Sequence, residues 1–230
     1  MISRRWILRG AALAGMAGSL ERGVLAQGTD QWFPLTGENG APVPNARLPV
    51  ELTEQIDELP GVIWVGSKAR EVTLVEFFDY NCPFCRKAAG DIHALLESES
   101  DLRIGLVNNA ILSPKSVEAA KVELALLKSK GPLAAYDFHR RLFERRGVLD
   151  GEKALATAED LGVSRSLIAN EANQREIADA LKQQMRLAAS LGFATTPSFL
   201  IAGAGVFGYP GPATLARIIA AVRTCDSIVC

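Results

Sequence analysis

Two cysteines separated by two residues follow directly on a hydrophobic run of the chain. The run is VTLVEFFDY, residues 72–80, and the pair is Cys82 and Cys85, with Pro83 and Phe84 between them. A cysteine pair with this spacing can bind a metal ion, form an inert disulfide bridge or exchange electrons with other thiols. The residues around the pair must therefore be used to distinguish among these three kinds of chemistry.

The other possible ligands argue against a metal site. A structural zinc ion needs four ligands, so a second pair would have to complete the site. The two histidines, His93 and His139, are not spaced as a pair, and Cys225 and Cys230 lie farther apart than usual zinc ligands. An inert bridge is also disfavoured, because a disulfide that closes a very short loop stabilises a fold least.

The position of the pair indicates a reactive thiol. The β-branched and aromatic residues at 72–80 predict a buried strand, and Pro83 suits the first turn of a helix, where its missing N–H needs no partner. Cys82 then lies at a helix N-terminus, where unpaired N–H groups and the helix dipole stabilise a thiolate. We expect Cys82 to be the exposed nucleophile and Cys85, one turn further in, to be the shielded resolving thiol.

The remaining segments predict a single α/β domain. Strands are expected at 62–66, 102–111, 196–203 and near 205–209, and helices after Pro83, over about 113–191 and from 213 to 225. The first helix is expected to be broken or strained at Gly90. A β-α-β start, a helical insertion and a β-β-α finish form one interleaved domain at 61–224, because the strands on both sides belong to one sheet.

The N-terminal residues 1–26 are predicted to be an export signal peptide. Basic residues precede a short apolar run rich in Ala and Gly, and cleavage is expected after Ala26. The run is too short and too weakly apolar to span a bilayer. SRRWILR, with Arg4 and Arg5, resembles the twin-arginine export motif. A helix that stays attached is the alternative; residues 27–60 are interpreted as a linker and short N-terminal segment.

The charge and the cysteine content of the chain bear on the class of function. Charged residues make up 22% of the chain and nearly balance, with a formal net charge of −1, so no basic surface for nucleic acid is expected. Export places the chain in an oxidising compartment, where Cys225 and Cys230 can form a structural bridge in the C-terminal tail at 225–230. A second redox pair that relays electrons to Cys82 and Cys85 is the alternative.

Two motifs resemble those of DsbA-like members of the thioredoxin superfamily. They are EFFDYNCPFC at 76–85 and ATTPSFLI at 194–201, and the resemblance covers about residues 60–223. It implies an α/β thioredoxin fold with a central mixed sheet and an inserted helical subdomain. It also implies protein disulfide exchange through a redox-active disulfide between Cys82 and Cys85, with no separate cofactor and no metal.

The resemblance also assigns roles to individual residues. Pro197 matches the cis-proline that faces the cysteines in this superfamily, which would leave the backbone at Thr196 free to pair with an extended substrate; an ordinary trans proline is the alternative. Pro83 and Phe84 are expected to contact the substrate as well. The best-known DsbA pattern has a histidine beside the second cysteine, where this chain has Phe84. The phenyl ring of Phe84 carries no charge that could stabilise a thiolate. We therefore predict that the Cys82–Cys85 couple is less oxidising than that of the strongest oxidants of the family.

Glu76 matches the buried acid beneath the active site in DsbA-like proteins. It would accept the proton of Cys85 when that thiol resolves a mixed disulfide; a solvated edge-strand glutamate is the alternative. Asp79 is assigned no role. His93 is interpreted as a surface or packing residue, and the basic segment 139–146 as a solvated helix face.

These observations predict an exported, periplasmic thiol:disulfide oxidoreductase that acts as an oxidase on unfolded or reduced exported proteins. A DsbB-like membrane partner would reoxidise it, and the protein is expected to be a monomer. A reductase or isomerase of the same fold, and a non-catalytic thioredoxin-fold chaperone, are the alternatives. A glutathione-dependent isomerase is disfavoured, since that relative typically has a serine in place of the cysteine pair.

Overall fold

The computed structural model describes residues 32–68 and 72–230, so the signal peptide predicted at 1–26 lies outside the described residues. In chain order the strands are β1 (Asn45–Arg47), β2 (Ile63–Gly66), β3 (Val72–Phe78), β4 (Leu102–Asn108), β5 (Ser198–Ile201) and β6 (Ala204–Phe207). The helices are α1 (Val50–Thr53), α2 (Pro83–Ser98), α3 (Pro114–Lys130), α4 (Pro132–Glu144), α5 (Gly151–Asp160), α6 (Arg165–Ala172), α7 (Arg175–Ser190) and α8 (Pro212–Cys225), and a 3-10 turn at Glu54–Ile56 follows α1.

The six strands form one mixed sheet in the order β1-β6-β5-β3-β4-β2. Strands β3 and β4 are parallel neighbours, and helix α2 is the crossover that connects them along the chain. The other neighbouring pairs run antiparallel. The β3-α2-β4 unit and the β5-β6-α8 finish confirm the predicted thioredoxin fold. Five helices, α3 to α7, lie between these two halves, where the sequence predicts a helical insertion.

Strand β3 is at the centre of the fold and is buried on both faces. Leu74 and Phe78 belong to the core layer that includes α2, α3 and α4, whereas Val75 and Phe77 belong to the layer against α7. Burial on both faces explains why the strand reads as a continuous apolar run instead of alternating with polar residues. The one charged residue within it, Glu76, therefore lies inside the protein.

Helix α2 starts and continues as its sequence allows, with one correction. Pro83 occupies the first helical position, and Cys82 precedes it with an extended backbone (φ −84°, ψ 121°). The expected break at Gly90 is wrong, because the helix runs without interruption to Ser98. Gly90 is exposed, and a glycine inside a helix lowers its stability by only about 1 kcal/mol relative to alanine, which the buried opposite face of α2 outweighs.

The helical insertion is bounded by side chains that cap its helices. The Ser113 hydroxyl accepts a hydrogen bond from the Ser116 N–H at 3.2 Å at the start of α3, and the Asp150 carboxylate accepts one from the Lys153 N–H at 3.1 Å at the start of α5. Such caps satisfy N–H groups that the first helical turn leaves unpaired. No helix within residues 32–68 and 72–230 is both long and apolar enough to span a membrane.

The described part of the segment expected to be a linker is instead packed into the fold. Residues Asn45–Arg47 pair with Ala204, Gly205 and Val206 of β6 and form an edge of the sheet. The buried Asn45 side chain accepts the Phe33 N–H at 2.7 Å and donates to the Phe33 carbonyl at 2.9 Å. A three-residue strand whose partner lies more than 150 residues away leaves no local pattern in the sequence. The glycines and prolines of this segment therefore led to the prediction of a linker.

Candidate active site

The two cysteines lie at the junction of β3 and α2, as the sequence predicts. The Cys82 N–H donates to the Asp79 carbonyl at 3.0 Å, which closes the turn between the strand and the helix. Cys82 is 4% exposed and Cys85 is fully buried, so Cys82 is the accessible thiol of the pair, although it is much less exposed than expected. Neither cysteine is bridged by a disulfide in this structure.

The surroundings of Cys82 favour its thiolate. The pKa of Cys82 is lowered from 9.0 to about 6, chiefly by a hydrogen bond with the Cys85 thiol, and further by the Thr196 side chain and the N–H groups of Cys85 and Phe84, against an opposing effect of burial. These two N–H groups belong to the first turn of α2, which has no carbonyl partners for them. Cys82 can therefore be a thiolate at neutral pH, where an ordinary cysteine is a thiol.

The pH dependence of alkylation tests this thiolate directly. We expect Cys82 to react with iodoacetamide at half its maximal rate at about pH 6, because the thiolate is the reactive form and forms as the pH rises through that pKa. Mass spectrometry of the reduced protein would follow the reaction at Cys82. A Cys82→Ser variant supplies the blank, and a midpoint between pH 8 and 9 would contradict the expectation.

Cys85, the predicted resolving thiol, and Glu76, the predicted acid, are both buried. Burial, the hydrogen bond with Cys82 and the charge of Glu76 all raise the pKa of Cys85. Glu76 is 1% exposed, which rules out a solvated edge-strand glutamate. Its pKa is raised from 4.5 to about 8, first by burial and then by the charges of Cys82 and Glu123. A carboxyl with such a pKa can hold or accept a proton near neutral pH.

The peptide bond between Thr196 and Pro197 is cis, as the resemblance implies, and it lies against Cys82. The Cys82 thiol donates a hydrogen bond to the Thr196 carbonyl, with Sγ and O 3.1 Å apart. The segment leading into β5 therefore forms one side of the site, opposite the N-terminus of α2.

Apolar side chains surround the narrow exposed part of Cys82. Leu112 and Val148 are each about half exposed, and Phe84 is 61% exposed. A groove of about 690 Å³ beside the thiol is lined by Asn81, Cys82, Pro83, Arg86, Leu112, Ser113, Lys115, Gly147 and Val148. This arrangement gives an extended, partly apolar chain room to lie across the sulfur.

Asp79, which the sequence analysis assigns no role, organises the turn before Cys82. Its carboxylate accepts the Asn81 N–H at 2.7 Å, the Ser116 hydroxyl at 2.6 Å and the Leu112 N–H at 2.9 Å. Since Leu112 lies in the loop before α3, the carboxylate joins the active-site turn to the entrance of the helical insertion. Nothing local in the sequence distinguishes Asp79 from an ordinary turn residue.

Two further residues hold the loop after α4 against the active site, and sequence reasoning missed both. The Asn81 side chain donates to the Leu149 carbonyl and accepts the Leu149 N–H, each at 2.8 Å. The Arg86 guanidinium donates to the carbonyls of Phe143 and Arg145, the latter at 2.6 Å. These contacts fix the loop that carries Val148 beside the groove.

The prediction that residues 139–146 form a solvated helix face is wrong for His139, which is 1% exposed. His139 lies with Leu142 and Phe143 on the buried side of α4, and its Nδ1 is 3.1 Å from Oε1 of Glu123. The three-to-four-residue spacing of these positions was the available signal, and the intervening arginines obscured it.

The remaining two cysteines form a disulfide, Cys225–Cys230. It cannot relay electrons to Cys82 within one molecule. The Arg223 guanidinium beside it bonds to Glu99 at 2.6 Å, at the C-terminal end of α2. Cys82 lies at the other end of that helix, and a helix of its length, 16 residues, spans about 24 Å. In the described parts of the chain no group of three or more His, Cys, Asp or Glu side chains is placed to hold a metal ion.

Comparison with known proteins places this geometry among thioredoxin-fold structures. The family model described as thioredoxin matches residues 58–221. A thioredoxin-like oxidoreductase from Silicibacter pomeroyi DSS-3 is 29% identical, with a TM-score of 0.69 over 75% of this chain and 98% of that one. The thiol-disulfide exchange protein alpha-DsbA2 from Wolbachia pipientis is 22% identical, with a TM-score of 0.67 over 75% and 92% of the two chains.

Curated relatives match over smaller parts of their length. Disulfide bond formation protein D from Bacillus subtilis is 29% identical over 86 residues, which are 36% of this chain and 38% of that protein. The Na(+)/H(+) antiporter NhaA from Herminiimonas arsenicoxydans is 24% identical over 179 residues, 77% of this chain and 28% of the antiporter. The chain thus spans well under half of either curated relative.

Proposed function

Because this chain belongs to the thioredoxin family, we propose that it is an exported thiol:disulfide oxidoreductase that works as an oxidase on other proteins. The observation that carries the proposal is Cys82 at the N-terminus of α2, with its pKa lowered to about 6. A stable thiolate makes the dithiol form favourable and the disulfide correspondingly easy to reduce, which suits a donor of disulfides.

The proposed reaction transfers the disulfide in two exchanges. A substrate thiolate attacks the Cys82 sulfur of the Cys82–Cys85 disulfide, and Cys85 leaves as a thiolate that takes a proton from Glu76. A second substrate thiolate then attacks the substrate sulfur of the mixed disulfide, and Cys82 leaves as a thiolate. The substrate loses two electrons and forms a disulfide, and the cysteine pair gains those two electrons, with no other cofactor.

We infer that the substrates are unfolded or reduced exported proteins. An extended chain would lie along the Thr196–Pro197 segment, within reach of Cys82, while Phe84 and Pro83 on one side and Leu112 and Val148 on another would contact its apolar residues. Folded proteins seldom present a thiol on such a chain, because apolar residues are mostly inside them.

We expect this protein to reach the periplasm through the signal at 1–26, by the twin-arginine route that Arg4 and Arg5 suggest. There a DsbB-like membrane partner would remove the two electrons and regenerate the Cys82–Cys85 disulfide. The protein is proposed to act as a monomer, and size-exclusion chromatography of the chain without 1–26 would check this.

The redox state of the pair in living cells tests the direction of electron flow. Acid quenching followed by alkylation should trap Cys82 and Cys85 mainly as a disulfide if the protein is an oxidase. A mainly reduced pair would favour the reductase or isomerase. A Cys82→Ala variant that still supports the maturation of exported proteins would instead point to a chaperone.

Phe84 offers a variant that tests the strength of the couple. Because its ring is 61% exposed and uncharged, replacing it with histidine should add a positive charge near the Cys82 thiolate without disturbing the core. Phe84→His is expected to make the couple more oxidising, by about a factor of ten in the equilibrium with glutathione, since one pKa unit corresponds to a tenfold change. Phe84→Leu is the matched uncharged control, and a histidine variant no more oxidising than this control would contradict the expectation.

A further inference from the structure

Glu76 is a buried carboxyl without a hydrogen-bonding partner. Both of its carboxyl oxygens are inaccessible and make no hydrogen bond within the described part of the chain. Its neighbour on the same face of β3 is Phe78, since alternate residues of a strand share a face. The Phe78 ring in turn packs edge-on against His139, with centroids 4.6 Å apart, and against Tyr80 at 5.1 Å. Phe78 therefore connects Glu76 by packing to a second set of buried polar groups, which includes His139 and Tyr80.

That second set is centred on Glu123, a fully buried carboxyl of α3. The Asn108 side chain donates to its Oε2 at 2.7 Å, the Tyr80 hydroxyl donates to its Oε1, and His139 Nδ1 lies 3.1 Å from Oε1. A carboxyl that receives three donors is held as the carboxylate, because only the ionised group accepts at every position.

The charge of Glu123 is not cancelled by His139. The Nε2 atom of His139 is buried and has no hydrogen-bonding partner among the described residues. A protonated ring would leave an N–H donor there with no acceptor, which is costly in a protein interior. With Nδ1 donating to Glu123, the arrangement fits a neutral imidazole, so a net negative charge remains in the core.

We propose that Glu123 is a positioning residue whose fixed negative charge, added to burial and to the charge of Cys82, helps to keep the Glu76 carboxyl protonated and so to set the pH at which Cys85 can give up its proton. This inference rests on the proposed thiol–disulfide exchange. Two like charges in a poorly screened interior disfavour each other. The carboxylate with three donors retains its charge, and the carboxyl without donors, Glu76, keeps its proton.

Glu123 is one of several groups that act on the Glu76 carboxyl. The interaction of Glu123 with Glu76 adds to burial and to the charge of Cys82 in raising the pKa of Glu76. From α2 the carboxyl also faces Cys85, whose raised pKa keeps it a neutral thiol. From α4 and the loop after β6 it faces the hydroxyls of Tyr136 and Tyr209, whose pKa values are both raised by burial, that of Tyr136 to about 12.

The proposal is tested by removing the charge of Glu123 and measuring the pH at which Glu76 titrates. In protein carrying ¹³C-labelled glutamate carboxyls, the Glu76 signal, assigned by its loss in Glu76→Gln, should titrate with a midpoint near pH 8 in the dithiol form. Glu123→Gln should lower that midpoint by about one pH unit, the size expected of one charge removed from a protein interior. The rate at which Cys85 resolves a mixed disulfide with a model peptide should shift to lower pH by a similar amount.

A charge-swapped variant keeps the test informative if Glu123→Gln folds poorly. Glu123→Gln combined with Asn108→Asp exchanges amide and carboxylate while preserving their hydrogen bond, and should restore the midpoint towards that of the wild type. A Glu76 midpoint that is the same in wild type and in folded Glu123→Gln would overturn the proposal, as would a Glu123→Gln effect on resolution that persists in a Glu76→Gln background. If no form of the protein exchanges disulfides, the proposed function fails, whereas the NMR titration still decides the role of Glu123.

Discussion

Replacing Cys85 with serine is expected to abolish turnover and to trap substrates on the protein through a disulfide bond to Cys82. Without Cys85 the protein cannot form the disulfide that accepts two electrons from a reduced substrate, so oxidation stops. The Cys82 thiolate can still attack a disulfide already present in a misoxidised substrate, which forms a mixed disulfide and releases one substrate thiolate. No second thiol of the protein then lies within reach to resolve that complex. Multiple turnover in the oxidation of a reduced, unfolded protein should fall by at least about 100-fold, on the scale of losing a group essential to the reaction. Non-reducing electrophoresis of the Cys85→Ser protein would show the covalent complexes directly.

Two matched variants make this result specific. Cys82→Ser should form no complexes, because Cys85 is fully buried and its pKa is raised. The Cys225→Ser/Cys230→Ser variant, which removes the distant bridge, should keep full exchange activity. Complexes that form equally well in Cys82→Ser would show that a different thiol is the nucleophile.

Glu76→Gln is expected to slow the step in which Cys85 attacks a mixed disulfide by about 100-fold, within the usual range for loss of a general base. In the wild type this rate should rise with pH and level off at or below about pH 8, since the Cys82 charge that helps to raise the pKa of Glu76 is absent from the mixed disulfide. In the variant the rise should move to the higher pH at which the Cys85 thiol ionises unaided. Stopped-flow fluorescence with a labelled peptide disulfide would measure both profiles.

The stability of the same variant supplies an independent control. The pKa of Glu76 is about 8 in the folded protein, against 4.5 for an ordinary glutamate, so its burial destabilises the fold progressively as the pH rises from about 4.5 to 8. Glu76→Gln should therefore gain thermal stability relative to the wild type at pH 9 and show little difference at pH 4. If resolution slows but stability at pH 9 does not increase, the pKa of Glu76 is not raised in the fold and the proposed base is a different group.

The placement of the cysteine pair could be predicted from the sequence because its signals are local. The apolar run at 72–80, the proline after Cys82 and the spacing to Cys85 lie within 14 residues, and each has a direct physical meaning for a strand, a helix start or a thiolate. The prediction that Pro197 faces the cysteine pair came from the resemblance of its motif to those of DsbA-like proteins.

The interpretations that failed depended on contacts between distant parts of the chain. Gly90 suggested a break because helix propensity is a local quantity, whereas α2 is held by its packing. Residues Asn45–Arg47 became a strand only because β6 supplies hydrogen-bonding partners. His139 was taken for a surface residue until α4 packed against Glu123 and Phe78.

The sequence by itself therefore determined the fold class and the position of the Cys82–Cys85 pair between a strand and a helix, because a strand followed by a proline-started helix fixes that geometry locally. Only the tertiary structure decided the electrostatics around the pair. It buried Glu76 without a partner, set Glu123 with its three donors close enough to affect it, and brought the Thr196 carbonyl to the Cys82 sulfur. Burial and charge proximity are properties of the packed chain, and they control proton affinity in its interior.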